Sequence, residues 1–334
     1  VAITNPLQID TSIPEIWGRQ VLRDHRVKGF WQRFVGPEGS GAPIIQKFEL
    51  LPGPGDLLHI QVTNPLSGSG VVGDTATLEG NEESLSSSEI KLATNLYRHA
   101  VKTNRRANKK SIIDLRMEVK NRLAEWGMNT MDSIRWTALT GTTAAAALPT
   151  ALSAEAYTPN FYSVGGTSTG VDDIGSGDTL TTAALQQIKL KLRIQRAKPI
   201  MVDGFPHYIM VTHPYSTYDL KRETEYTSWV RDAQVRGDAN PFFRGAIAVI
   251  DGMIIYEHES CPIVTNAGSQ AVSKGIAFGA EFAVEALDEN VDWEEDTFDY
   301  GKDWGVGYSF AFYPRRGLEL SSCQVYAESG NPVV

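Results

Sequence analysis

Hydrophobic and polar positions change period several times along this chain, and the most telling change falls between residues 50 and 140. An extended arm, Leu57–Val62, lies between Pro52-Gly53-Pro54-Gly55 and Asn64-Pro65. A second extended arm covers roughly Ser88–Thr103. Between them is a Gly/Ser-rich and then acidic tip, Ser67-Gly68-Ser69-Gly70 followed by Leu78-Glu79-Gly80-Asn81-Glu82-Glu83. A two-stranded ribbon alone is at best marginally stable in water. This one carries little apolar residue for a core of its own, so it is expected to lie on another protein. That points to assembly rather than catalysis.

The pattern then turns helical. From Ser111, a candidate N-cap with Asp114 three residues on, apolar residues recur at Ile112, Leu115, Val119, Leu123, Trp126, Met131, Ile134 and Ala138. This three-and-four spacing predicts a long amphipathic helix ending at Gly141. Gly127 weakens its middle by about 1 kcal/mol relative to Ala. The stripe drifts from a strict heptad, and Trp126 is too bulky for a regular layer, so a spine packed on a sheet is expected and not a coiled-coil seam. Trp126→Ala is expected to cost about 3–5 kcal/mol if the ring is fully buried.

Residues 1–47 read as an arm broken by Pro6, Pro14, Pro37 and Pro43, with a helical candidate from Ile13 to about Phe34. Its Trp17, Phe30, Trp31 and Phe34 must pack somewhere, and the arm is expected to become ordered mainly by assembly. Residues 150–178 read as a surface loop, and Thr179–Ala197 as a second helix. Tyr208–Thr212 has a buried-strand pattern, Pro214–Leu220 begins a helix, and Ala246–Tyr256 reads as two strands about an Asp251-Gly252 turn. From Ile276 to Val325 strands dominate, notably Gly307–Tyr313, before a polar tail.

The chain of 334 residues, 42% hydrophobic, can bury a sizeable core in one large domain or two smaller ones. No run approaches the ~18–20 apolar residues of a membrane span, so no membrane partner is expected. The N-terminus shows no basic region followed by an apolar core, so no secretory signal is expected. Cys261 and Cys323 form no disulfide framework and are expected as free thiols. A net charge of −9 argues against a surface that binds nucleic acid as a whole. The charge is unevenly spread. Arg98, Lys102, Arg105, Arg106, Lys109 and Lys110 form a run with no acid, whereas Glu281–Asp303 holds ten acids against Lys302 alone. The two runs are candidates for complementary surfaces within one subunit or across an interface. The basic run lacks the interleaved aromatics of a single-strand binder.

Candidate chemistry is sparse. Gly68-Ser69-Gly70-Val71-Val72-Gly73 matches GxGxxG, but an acidic, Ser-rich stretch follows where a dinucleotide site needs a helix, so no cofactor is expected. His207 and His213 lack neighbours at metal-ligand spacing, so no metal is expected. His258 beside Glu257 and Glu259 resembles a hydrolytic pair only superficially. No catalytic constellation is present, and the chain reads as a non-enzyme.

Particular residues carry a family resemblance. Thr77-Leu78-Glu79-Gly80-Asn81-Glu82-Glu83-Ser84-Leu85 is followed by Tyr97-Arg98-His99-Ala100-Val101, Asp114-Leu115-Arg116, Leu123 with Trp126, and Leu139-Thr140-Gly141. Gly252-Met253-Ile254-Ile255-Tyr256-Glu257, Phe278-Gly279-Ala280 and Asp299-Tyr300-Gly301 continue it. The order resembles the major capsid proteins of tailed bacteriophages of the phage N-four type, from about Gly53 to Leu320. The resemblance implies an α+β fold of the Hong Kong ninety-seven type (Johnson) major capsid class. It implies an N-terminal arm at 1–47, an extended β-ribbon loop at 48–103, and a peripheral domain with a long spine helix at 104–197. An axial α+β domain at 198–285 follows, then return strands of the peripheral domain and a C-terminal tail at 286–334. It implies a structural, self-assembling virion protein, made in the host bacterial cytoplasm, that forms hexamers and pentamers of an icosahedral head around double-stranded DNA. Portal, scaffolding and decoration proteins stay open as further partners. Candidate inter-subunit contacts are Glu79, Asn81, Glu82, Glu83, Arg98, Lys102, Arg105, Arg106, Trp17 and Trp31. The alternatives are an encapsulin-like compartment with the same fold, and a hydrolase or carbohydrate-binding protein built on 198–334.

Overall fold

The computed structural model of the chain describes residues 29–48, 57–63, 66–73, 77–110, 115–140, 160–165, 170–202, 204–227, 248–317 and 319–330. After a 3-10 turn at Trp31–Phe34 come β1 (Val35–Gly36) and β2 (Ile44–Lys47). Strands β3 (Leu57–Thr63) and β4 (Ser87–Ala93) form the ribbon, with Ile60 opposite Ile90. Next are β5 (Asn95–Asn104), the short helix α1 (Arg105–Lys110) and the long helix α2 (Leu115–Thr140). Then come β6 (Phe161–Ser163), α3 (Thr182–Ile194), β7 (Ile200–Val202), β8 (Phe205–Thr212) and α4 (Pro214–Arg222). Strands β9 (Ala248–Ile250), β10 (Met253–Glu257), β11 (Ile263–Thr265), β12 (Ala271–Phe278), β13 (Ala283–Phe298), β14 (Asp303–Arg316) and β15 (Ser322–Glu328) complete the order.

Two sheets organise these elements. The first runs β1-β2-β13-β14-β5 and is filled by the period-two alternation of β14. Val306, Tyr308, Phe310 and Phe312 point at α2, where they meet Leu123, Val119, Trp126 and Met131. The long helix is thus a spine on a sheet, as its spacing implies. Gly127 is explained by this contact: a Cβ there would lie 2.4 Å from the Tyr308 ring. The glycine that weakens the helix lets it settle on the tyrosine. Trp126 is only half-buried, its ring 6.1 Å from those of Tyr308 and Phe310 and 4.9 Å from His99. The expected loss for Trp126→Ala therefore drops to about 1–2 kcal/mol, roughly half that of a fully buried ring, as chemical denaturation will read it.

The second sheet runs β6-β15-β12-β8-β10-β9, with β11 added to β12 and β7 to β8. Alternate residues of β8 face opposite cores. Tyr208 and Met210 meet Leu185, Ile188 and Leu192 of α3, while Ile209 and Val211 meet Phe30, Trp31, Phe34 and Trp136. Thr181 caps α3 through the Ala184 N–H, and His213 with Pro214 starts α4. Asp251 and Gly252 both have positive φ, 48° and 75°, as a tight primed turn between β9 and β10 requires.

Several expected boundaries move. Residues 29–47 are no detached arm. Phe30, Trp31 and Phe34 are buried in the chain's own core, and β2 pairs in parallel with β13. Of the helical candidate from Ile13, the described part is the 3-10 turn alone, and Trp17 lies outside the described residues, as do Ser111, Asp114 and Gly141. The second ribbon arm ends at Ala93, because β5 leaves the ribbon to pair with β14, Arg98 opposite Ser309. Helix α3 and strand β6 belong to the second sheet and not to the unit around the spine helix. The polar tail starts later than expected, because the last strand, β15, runs past Val325 to Glu328 and returns to pair with β12. Its Ser322 and Gln324 are buried in a hydrogen-bonded sheet, which hydropathy alone does not reveal.

Candidate assembly interface

The ribbon's two ends behave differently. At its base Leu58, Ile60 and Leu92 pack on Val284, Ala286 and Tyr313 of the first sheet, on the face opposite α2. Arg315 Nη1 donates to the Lys91 carbonyl at 2.7 Å and fastens the strand there. The expectation that the ribbon lacks any core within the subunit is thus corrected for its base. The tip fits that expectation: Leu66, Val72, Leu78 and Leu85 are 65–89% exposed. Four aliphatic side chains left in water make the tip the candidate interaction surface.

The acidic motif at the tip ties itself into shape. Asn81 N–H donates to the Leu78 carbonyl at 3.0 Å, closing a turn in which Gly80 takes φ +86°. Asn81 Nδ2 donates to the Thr77 carbonyl, and the Gly80 N–H to Glu82 Oε2 at 2.8 Å. Glu83 reaches across the tip, accepting from the Ser67 N–H at 2.7 Å, the Ser67 hydroxyl at 2.9 Å and the Gly68 N–H at 2.6 Å. These bonds, the backbone ones first, hold its carboxyl below the usual range. So Ser67 to Gly73 is a loop stapled by a carboxylate, and no helix opens from its glycines among the described residues. Glu79 stays exposed.

The basic run divides. Lys102 pairs with Asp303 at 3.2 Å, and Asn104 donates to the same carboxylate at 2.8 Å. Further along, Arg116 and Lys120 of α2 both pair with Glu295. Of the basic run's described residues, Lys102 alone meets the acidic run inside the subunit, between β5 and β14. Arg98, Arg105, Arg106 and Lys109 are exposed. Trp31, a candidate inter-subunit contact, is instead fully buried within its own chain, where the Asp132 carboxylate of α2 receives its backbone N–H at 2.9 Å.

The other residues singled out for chemistry serve packing. Cys261 and Cys323 are free and buried, and burial pushes the Cys323 thiol up to about 12. Glu257 turns to the Thr217 hydroxyl at 2.7 Å and to Lys221, away from any pairing with His258. The His258 ring lies 4.8 Å from Phe30 and 5.6 Å from Trp136, and its Nδ1 accepts from the Ser260 N–H. Burial lowers its pKa below the ordinary 6.5, opposed by Asp132 and Glu259 and aided by Arg33. A histidine kept neutral by folding stabilises fully above 6.5 and loses that contribution as pH falls through the depressed folded value. Subunit stability is expected to decline on acidification below about 6.5, more steeply than in His258→Phe; His213, depressed for the same reason, leaves a residual slope in that variant. Thermal unfolding at pH 7 and 5 checks it. A bigger feature, not evident from the sequence, is the Arg135–Glu285 pair between α2 and β13, bidentate at 3.0 and 3.1 Å and almost wholly buried.

A spine helix on one sheet, a second α/β layer and a long ribbon make up a fold that solved phage capsid chains share. The capsid of Ralstonia phage GP4 matches with a TM-score of 0.78 at 22% identity over 99% of both chains. The capsid of cyanophage Pam1 matches with a TM-score of 0.78 at 18% identity, over 96% of this chain and 98% of that one. The fold is the Hong Kong ninety-seven type expected from the resemblance. The chain belongs to the phage capsid protein family, whose model matches residues 7–311. It is also 26% identical over 341 residues to the major capsid protein of Pseudomonas phage KPP25, across 91% of this chain and 89% of that one. Its role is structural, in the virion, and these relatives lend no support to the encapsulin-like compartment or to the hydrolase or carbohydrate-binding reading.

Proposed function

We propose that this chain self-assembles into the hexamers and pentamers of an icosahedral head enclosing double-stranded DNA, and that it does so in the host bacterial cytoplasm without catalysing any reaction. In this reading the first sheet with α2 is the peripheral domain, the second sheet with α3 and α4 is the axial domain, and the ribbon is the extended loop. Portal, scaffolding and decoration proteins are the partners such a head would add. The observation that carries the proposal is the ribbon tip, whose Leu66, Val72, Leu78 and Leu85 are all exposed. Burying such side chains against a neighbour gains about 25 cal/mol per Å² of apolar surface, which favours association over an isolated subunit. Deleting Ser67–Gly73 removes the loop that Glu83 staples. The deletion variant is expected to remain a folded subunit by circular dichroism and to assemble poorly by sedimentation. Normal shell yield from the deletion would take the ribbon out of assembly.

A further inference from the structure

The N-terminal turn is held to the rest of the subunit by a nest of rings that includes a histidine. Phe30 is stacked at 5.8 Å on the Trp136 ring of α2 and lies 6.3 Å from Tyr256 of β10. The His258 ring, in the turn after β10, sits 4.8 Å from Phe30 and 5.6 Å from Trp136, against both sides of that contact. Hydrogen bonding fixes its protonation state. His258 Nδ1 accepts from the Ser260 N–H at 3.1 Å, so the single proton of the neutral ring is on Nε2. Nε2 is buried with no hydrogen-bond partner among the described residues. A second proton has to go on Nδ1, where it meets the Ser260 N–H head-on, and the charge it brings finds no acceptor at Nε2. The imidazolium cannot keep the place of the imidazole.

The groups around the ring do not rescue it. Burial is the largest influence and favours the neutral form, ahead of every neighbouring charge. Asp132 of α2 favours the cation, but its carboxylate already accepts from the Trp31 N–H at 2.9 Å and from Trp136 Nε1 at 3.2 Å. Glu259 also favours it, and faces His213 at the start of α4 as well, whose Nδ1 accepts from the Tyr215 N–H. Arg33 of the turn, its guanidinium 4.6 Å from the Phe30 centroid, opposes a second cation. Glu257 is turned away to Thr217 and Lys221. We propose that His258 is an acid-operated latch on the N-terminal turn: in mild acid the ring takes a second proton and leaves the nest, and Phe30–Phe34 separate from the core while the second sheet stays folded. The turn is the part that yields because it enters this core through side chains alone, whereas β8, β10 and β12 opposite are paired in a sheet. The latch is closed at neutral pH and released on acidification, which bares three large aromatic side chains only in acid. It operates within one subunit and stands apart from the shell reading.

Hydrogen exchange of the purified subunit at pH 7 and pH 5, read by mass spectrometry and corrected for the intrinsic pH dependence of exchange, tests this. A group that takes up its proton near 6.5 only when released shifts the opening equilibrium by about tenfold between these values. The peptide covering Phe30–Phe34 is therefore expected to exchange about tenfold faster at pH 5, with the peptides of α3 and β12 unchanged. His258→Phe keeps a ring in the nest and cannot titrate, and the exposed Ser260 leaves its N–H to water. In that variant the turn is expected to exchange within about twofold of its pH 7 rate. His258→Asn, which retains an acceptor for the Ser260 N–H, gives the same reading if the phenylalanine variant does not fold. A parent turn equally protected at both pH values overturns the proposal, as does an equal rise in α3 and β12. A rise that persists in the folded variant also overturns it and assigns the acid step to another group, His213 first.

Discussion

Trp31→Ala is expected to remove about 3–5 kcal/mol of subunit stability, enough to unfold a marginal domain. The side chain is fully buried where the spine helix, the second sheet and the N-terminal turn converge. Its ring lies 4.9 Å from that of Trp136 and 5.9 Å from those of Phe34 and Phe278. Alanine leaves a void that three elements cannot all collapse into. Trp31→Phe should cost much less, because Trp31 Nε1 is buried without a hydrogen-bond partner among the described residues and phenylalanine removes that donor along with the lost volume. Chemical denaturation of the two variants distinguishes packing from a generic effect of any change at the site. Equal losses for Ala and Phe would point away from the cavity account.

Arg135→Ala is expected to cost a similar amount, about 3–5 kcal/mol, by leaving the Glu285 carboxylate buried and alone. In the parent, Arg135 also stands 5.1 Å from the Phe312 ring centroid, so its guanidinium is held on both sides. Burial raises the Glu285 pKa, and the Arg135 charge and hydrogen bonds oppose that rise. Removing Arg135 takes away that opposition and raises the pKa further. A carboxyl whose folded pKa lies above its unfolded value stabilises below the unfolded value, and that contribution is lost as pH rises through the folded pKa. The variant should therefore lose stability relative to the parent once pH rises above the parent's own folded value, which itself lies above 4.5. Adding Glu285→Leu should recover part of the loss, since it removes the stranded charge while the space left by Arg135 stays unfilled.

Much of the fold was legible because periodicity carried it. Helix α2, the turn at Asp251 and Gly252, the strand at Tyr208–Thr212 and the alternating strand at Gly307–Tyr313 all lie where spacing puts them. What spacing could not show was partnership between distant segments. The pattern of Asn95–Asn104 is as extended as that of Ser87–Ala93, and only pairing with β14 separates one from the ribbon. Residues 326–328 looked like the start of the tail, and only their pairing with β12 extends the last strand over them. Trp31 looked free to dock elsewhere because the aromatic load near it far exceeds what a short arm buries. Its acceptor, Asp132, is 101 residues away. At the candidate interface, the acidic motif and basic run were visible as composition, but the carboxylate staple of Glu83 is a property of the folded tip.

The central claim is that this chain alone closes into a shell through its ribbon. Negative-stain electron microscopy of the purified chain tests it most directly. Uniform closed particles, scarce or absent in the Ser67–Gly73 deletion, are the expected result; a parent chain that stays as folded monomers under every assembly condition tried would contradict it.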